Sequence, residues 1–220
     1  MRVRDRLGLS TATQRRAAWV MQVCLVGMFF IGIDRGDTGI VVNAAVALLV
    51  AQLPPVLERD YEIPLDPALV LWITGAVFLH ALGAVGLPGS RLGFYTTVWW
   101  YDHVTHALSA SVVAAAGYIT TRAIDRHNDD IYLPPRFTFV FVLLTTIAFG
   151  VFWEVLEFAI AQASALVGAT SVLTQYGLED TMLDLVFDVL GAVVVAVWGT
   201  AYLTDVVGAV TARLDARARR

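Results

Sequence analysis

Six long apolar stretches alternate with short polar connections along the chain. They fall at about 17–33, 40–57, 68–87, 101–121, 137–161 and 181–204. Each is close to the roughly 20 residues an α-helix needs to cross a hydrocarbon core about 30 Å thick. Strands of a membrane barrel would instead alternate polar and apolar positions over about 10 residues. The pattern predicts an all-α, polytopic transmembrane helix bundle of about six spans. Prolines punctuate it: Pro54-Pro55 is expected to break or kink the end of the second span, Pro88-Gly89 to stop the third, and Pro134-Pro135 to precede the fifth. The first run continues to Ile33 and ends in Asp34-Arg35-Gly36-Asp37. A cleaved signal peptide would have a shorter apolar core with a small-residue site behind it, so this run is read as a retained span.

Composition agrees. The 220 residues are 58% hydrophobic and 15% charged, with a mean hydropathy of +0.69, against about 25% charged in soluble domains. Six spans leave no room for a separate soluble domain. The expected organisation is an Arg-rich N-terminus at 1–16, one compact membrane domain at 17–204 and an Arg-rich tail at 205–220. A net charge of −4, with no basic patch outside the termini, argues against nucleic acid as a partner. The single cysteine, Cys24, cannot form an intrachain disulfide and is read as an apolar packing residue. All 15 basic residues are Arg; placing the N-terminus inside puts thirteen of them in inner segments and leaves only Arg35 and Arg91 outside. The positive-inside rule then makes both termini cytoplasmic in a plasma-membrane protein. Trp99, Trp100 and Tyr101 would mark the outer interface.

Against this apolar background the ionisable residues inside the spans stand out. Asp102 and His106 are four apart and share a face of the fourth span. Glu154 and Glu157 are three apart in the fifth. Asp180, Asp184 and Asp188 recur every four residues at the start of the sixth. The Arg-derived topology puts all three groups at similar depth near the outer leaflet. Insertion scales charge about 2.5–3.5 kcal/mol for an Asp near a helix centre, so these acids are expected to face one another, water, a proton or a cation. Oxygen-rich ligation with one or two His suits a divalent metal ion such as Mg²⁺, Mn²⁺, Ca²⁺, Zn²⁺ or iron.

Three blocks carry a resemblance. Asp102-x-x-x-His106, Glu154-Val155-Leu156-Glu157-Phe158, and Asp180-Thr181-x-x-Asp184 followed by Leu190-Gly191-Ala192 look like the D-x-x-x-H, E-x-x-E-[WF] and D-T-x-x-D…L-G-A blocks of the YjdF-like family, itself distantly similar to VanZ-like membrane proteins. The resemblance spans about residues 100–192; spans one to three match in hydrophobicity alone. It implies a multi-span membrane protein and supplies no reaction. Asp188 departs from the pattern, which has a small apolar residue there.

The expected metal ligands are therefore Asp102, His106, Glu154, Glu157, Asp180 and Asp184, with His80 and Asp188 ranked below them and Glu154 and Asp184 as catalytic candidates. His103, about 100° around the helix from Asp102, is expected at the membrane interface. Trp153 is read as packing, and the acidic stretches Glu58–Asp66 and Asp125–Asp130 as solvated loops. Three functions fit. The first is a metal-dependent hydrolase or transferase acting on a lipid or isoprenoid head group. The second is a small transporter using the acids as a cation or proton site. The third is an accessory protein whose polar network only ties helices together. The lipid bilayer is the common partner, and a lipid-like or small-ion substrate is the further one implied.

Overall fold

The computed structural model describes residues 10–219 except Pro88, Arg91 and Thr174, together with all their side chains but that of Thr200. Most of the 1–16 segment with Arg2, Arg4 and Arg6, the Pro88 stop, Arg91 and Arg220 lie outside the described residues. Those described form eight α-helices and no strand: α1 (Thr11–Arg35), α2 (Thr38–Val50), α3 (Leu53–Tyr61), α4 (Pro67–Val85), α5 (Phe94–Thr97), α6 (Tyr101–His127), α7 (Pro135–Leu166) and α8 (Leu178–Ala218). Six segments are long and apolar enough to cross a membrane, with α2 and α3 together making the second. Large apolar side chains point outward along them, including Leu49 at 71% exposure and Leu144 at 60%. Such a surface is tolerable against hydrocarbon and a liability in water. Cys24 also lies on an exposed face rather than in the packing.

The chain divides into two compact units, residues 1–58 with 65–99 and residues 59–64 with 100–220. In the first, α1, α2 and α4 share a core of Leu25, Met28, Ile40, Ala44, Ala47, Ala81 and Val85. The α1–α2 turn follows from Gly36 and Asp37. Gly36 takes the left-handed conformation, φ 64°, that ends α1, and the Asp37 carboxylate accepts the Ile40 N–H to start α2. The second span breaks at Ala51-Gln52, earlier than the prolines suggested. Pro54 and Pro55 then occupy the first turn of α3, where no helical N–H is needed.

The second unit is built from α6, α7 and α8. Glycine sets how closely α6 and α8 approach: a Cβ at Gly191 would collide with the Ala107 carbonyl and crowd the Ser111 nitrogen. Tyr118 fills the space over Gly199. Without an aqueous driving force between helices, small residues that admit such contact hold membrane bundles together. The α8 helix does not end near 204. Its buried stripe continues through Leu203, Val206 and Val207, and the helix runs to Ala218. There Asp215 meets His127 of α6 at 2.5 Å, and Arg213 donates to the carbonyls of Tyr61 and Asp60. Asp125 is not a free loop acid either; it accepts from Arg122 and from the Leu133 N–H.

Candidate metal centre

At the end of the second unit where α6 and α8 begin and α7 ends, the three helices bring their ionisable residues together. By helical rise, Asp102 lies in the first turn of α6, and Asp188 about 15 Å along α8. His106 sits at the centre and is buried. Its Nε2 is 3.8 Å from Asp102 Oδ1, 3.8 Å from Glu154 Oε1 and 4.0 Å from Asp184 Oδ2. Its Nδ1 is 3.3 Å from Asp188 Oδ1. The three Nε2 separations are too long for hydrogen bonds. They exceed the roughly 3.0–3.4 Å between neighbouring ligands on metal bonds of about 2.1 Å, so an ion shared by these atoms would draw them together by about half an ångström.

His103, three residues before His106, is also buried. Its Nδ1 lies 2.8 Å from Asp184 Oδ1, and its ring stacks on Phe187 with centroids 5.2 Å apart. The two oxygens of Asp184 thus face different histidines. Two sets of three residues each offer ligand atoms within 4.8 Å of one another: Asp102, His106 and Asp184, and His103, Asp180 and Asp184. Both sets are able to hold a metal ion.

Around this centre, Glu154 Oε2 accepts from the Thr181 hydroxyl, which accepts in turn from Gln175 Nε2. Glu154 Oε1 and Asp188 Oδ2 are buried with no hydrogen-bond partner. Such atoms lose several kcal/mol of hydration unless something compensates. Gly150 of α7 makes room for the second of them, because a Cβ there would overlap Asp188 Oδ2. Half-buried Glu157 accepts from Trp153 Nε1 at 2.9 Å. Tyr176, in the connection between α7 and α8, has its phenol pushed above the ordinary range by burial and then by Asp102, Asp180 and Glu157, so the hydroxyl stays protonated at neutral pH.

The structure gathers Asp102, His106, Glu154, Asp180 and Asp184, as spacing led us to expect, and Asp188 with them at greater depth. Glu157 lies at the margin, engaged by Trp153, which is more than packing. His80 belongs to the first unit, where its Nδ1 and its carbonyl meet the Tyr95 hydroxyl, each at 2.9 Å. The reading of His103 as interfacial is corrected: it is buried against Asp184. Thr181, Gln175 and Tyr176 were not anticipated. Thr181 had a signal, lying next to Asp180 in the recognised block; the other two reach the cluster through a connection whose path no periodicity describes.

The chain is 29% identical over 143 residues to an uncharacterized protein of Thermotoga maritima, an alignment covering 65% of this chain and 67% of that one. No solved structure matches. Residues 16–205 match the family described as "Predicted membrane protein (DUF2238)", which takes in all six apolar segments and every member of the cluster. With its helical architecture and apolar exterior, the chain is an integral membrane protein and belongs to this family, the YjdF-like proteins.

Proposed function

We propose that the cluster is an intramembrane divalent-metal site serving hydrolysis or group transfer at the head group of a lipid or isoprenoid. One observation carries the reading: His106 Nε2 faces three carboxylate oxygens at 3.8–4.0 Å. With its Nδ1 proton directed at Asp188, the Nε2 lone pair looks into negative charge, and a cation resolves that repulsion. Asp102, His106 and Asp184 would hold the ion. Asp188 fixes the imidazole as metal-binding histidines are commonly fixed, by a carboxylate on the other nitrogen. The ion would supply a water of lowered pKa as nucleophile, and Glu154 Oε1, buried, without a hydrogen-bond partner and 3.8 Å from His106 Nε2, is the group placed to accept its proton. Half-buried Asp102 and Asp180 and half-exposed Tyr176 form the mouth. The Arg distribution supports a mouth at the outer face of the plasma membrane, with both termini in the cytoplasm.

A cation or proton pathway is favoured by one feature, the track of Asp180, Asp184 and Asp188 leading inward along α8. The track ends there: Ala192 and Val195, next on the same stripe, are buried and apolar. A closed-ended track suits a fixed site better than a conduit. Elemental analysis of the detergent-purified chain, with assays of head-group release and of cation flux in liposomes, tests the proposal. Chelator-removable metal that is lost in Asp184→Asn, with metal-dependent release, is the expected result. Metal-dependent flux without release favours the transporter, and absence of metal leaves a structural network with an imidazolium at its centre.

A further inference from the structure

Resting on the metal reading and extending it, we infer that the pocket takes two divalent ions, with Asp184 bridging them. The first lies among Asp102, His106 and Asp184 Oδ2; the second lies among His103, Asp180 and Asp184 Oδ1. Asp184 is fully enclosed and presents one oxygen to each histidine, Oδ1 at 2.8 Å from His103 Nδ1 and Oδ2 at 4.0 Å from His106 Nε2. A carboxylate held this way spans two cations about 3.5–4 Å apart, the spacing of two-metal hydrolytic centres. The helices supply the ligands symmetrically: α6 gives one histidine to each ion, and α8 gives Asp180 to one and Asp184 to both. Phe187, stacked on His103, fixes that ring much as Asp188 fixes His106.

Charge points the same way. Asp102, Glu154, Glu157, Asp180, Asp184 and Asp188 gather around two imidazoles, and among the described residues no Arg side chain pairs with any of them. Acids this close cannot all ionise unless cations offset their repulsion, and a second divalent ion offsets more of it than one. Glu154, 5% exposed, turns its Oε1 toward His106 Nε2 at 3.8 Å with no hydrogen-bond partner. The imidazole donors select Mn²⁺, Fe²⁺, Co²⁺ or Zn²⁺ over Ca²⁺ and Mg²⁺.

Mn²⁺ is the direct probe. The full chain, stripped with chelator in detergent and titrated with Mn²⁺, should bind two ions and give the electron paramagnetic signal of an exchange-coupled pair. His103→Ala and Asp180→Asn should each leave a single ion with an uncoupled signal, and Asp184→Asn should abolish the coupling. Wild-type protein that binds one uncoupled Mn²⁺ overturns the second ion but keeps the single-metal site, making His103 a positioning residue for Asp184. Protein that binds none overturns both. The wild-type stoichiometry decides even if a variant fails to fold.

Discussion

Replacing Asp188 with Asn separates a metal site from a purely structural network. Asp188 belongs to neither ligand set; it faces His106 Nδ1 at 3.3 Å and leaves Oδ2 buried without a hydrogen-bond partner. If it orients and polarises a metal-bound imidazole, Asp188→Asn should weaken metal binding about 10–100-fold without changing the stoichiometry, the usual cost of losing such a partner. Stability then follows by linkage. At a free metal concentration about 100 times the wild-type Kd, binding stabilises the fold by about 2.7 kcal/mol; for the variant this falls to about 1.4 kcal/mol at 10-fold weakening and about 0.4 kcal/mol at 100-fold. In metal-free protein the substitution weakens the buried His106–Asp188 pair, so stability should fall there too, by about 1–3 kcal/mol, and the loss of the metal increment is read on top of that. Thermal unfolding in one detergent, with and without Mn²⁺, reads both quantities. An unchanged metal increment would refute the role given to Asp188, and loss of metal at every concentration would make it a ligand.

Other outcomes follow from the same geometry. Ligation needs ionised carboxylates and a neutral His106, so protons compete with metal and affinity must rise with pH; a Kd that fails to fall at least about 10-fold between about pH 5.5 and about pH 7.5 contradicts this ligand set. Gly191→Ala sets a methyl against the Ala107 carbonyl, backbone against backbone; chemical unfolding in mixed micelles should show a loss of about 1–3 kcal/mol, and an unchanged midpoint would mean that α6 and α8 do not pack this closely. For orientation, in a Cys24→Ser background, Glu179→Cys should react with an impermeant maleimide in intact cells and Tyr132→Cys only after permeabilisation. The reverse pattern would invert the topology.

Much of this was legible in the sequence, for identifiable reasons. The spans were, because apolar runs near 20 residues have few other fates. The α2–α3 break was legible in kind from Pro54-Pro55, though the helix stops at Ala51-Gln52 so that the prolines can start the next one. The extent of α8 was not: Arg213, Asp215 and Arg217 read as a tail, while Leu203, Val206 and Val207 continue the buried stripe and His127 receives Asp215. Asp102, His106, Asp180 and Asp184 were found because spacings of four keep residues on one helix face. His103 was missed because it was measured from Asp102 alone. A helix that faces two neighbours needs a wide arc, and Asp102, His106 and His103 occupy successive positions across about 100° of it. Asp188 was ranked low for departing from a family pattern, although its spacing from Asp184 already placed it under the cluster. Gln175 and Tyr176 lie in the 162–179 connection, whose small-residue composition fits a lid over the site and an ordinary loop equally well, so the sequence singles out neither residue.

If α6, α7 and α8 hold a divalent ion against His106, anomalous diffraction from crystals of the full chain grown with Mn²⁺ or Zn²⁺ will locate it. The expected peak lies about 2.0–2.3 Å from His106 Nε2, shared with carboxylate oxygens of Asp102 and Asp184. A map with no peak there, and with Nε2 instead within hydrogen-bonding distance of Glu154 Oε1, would contradict it.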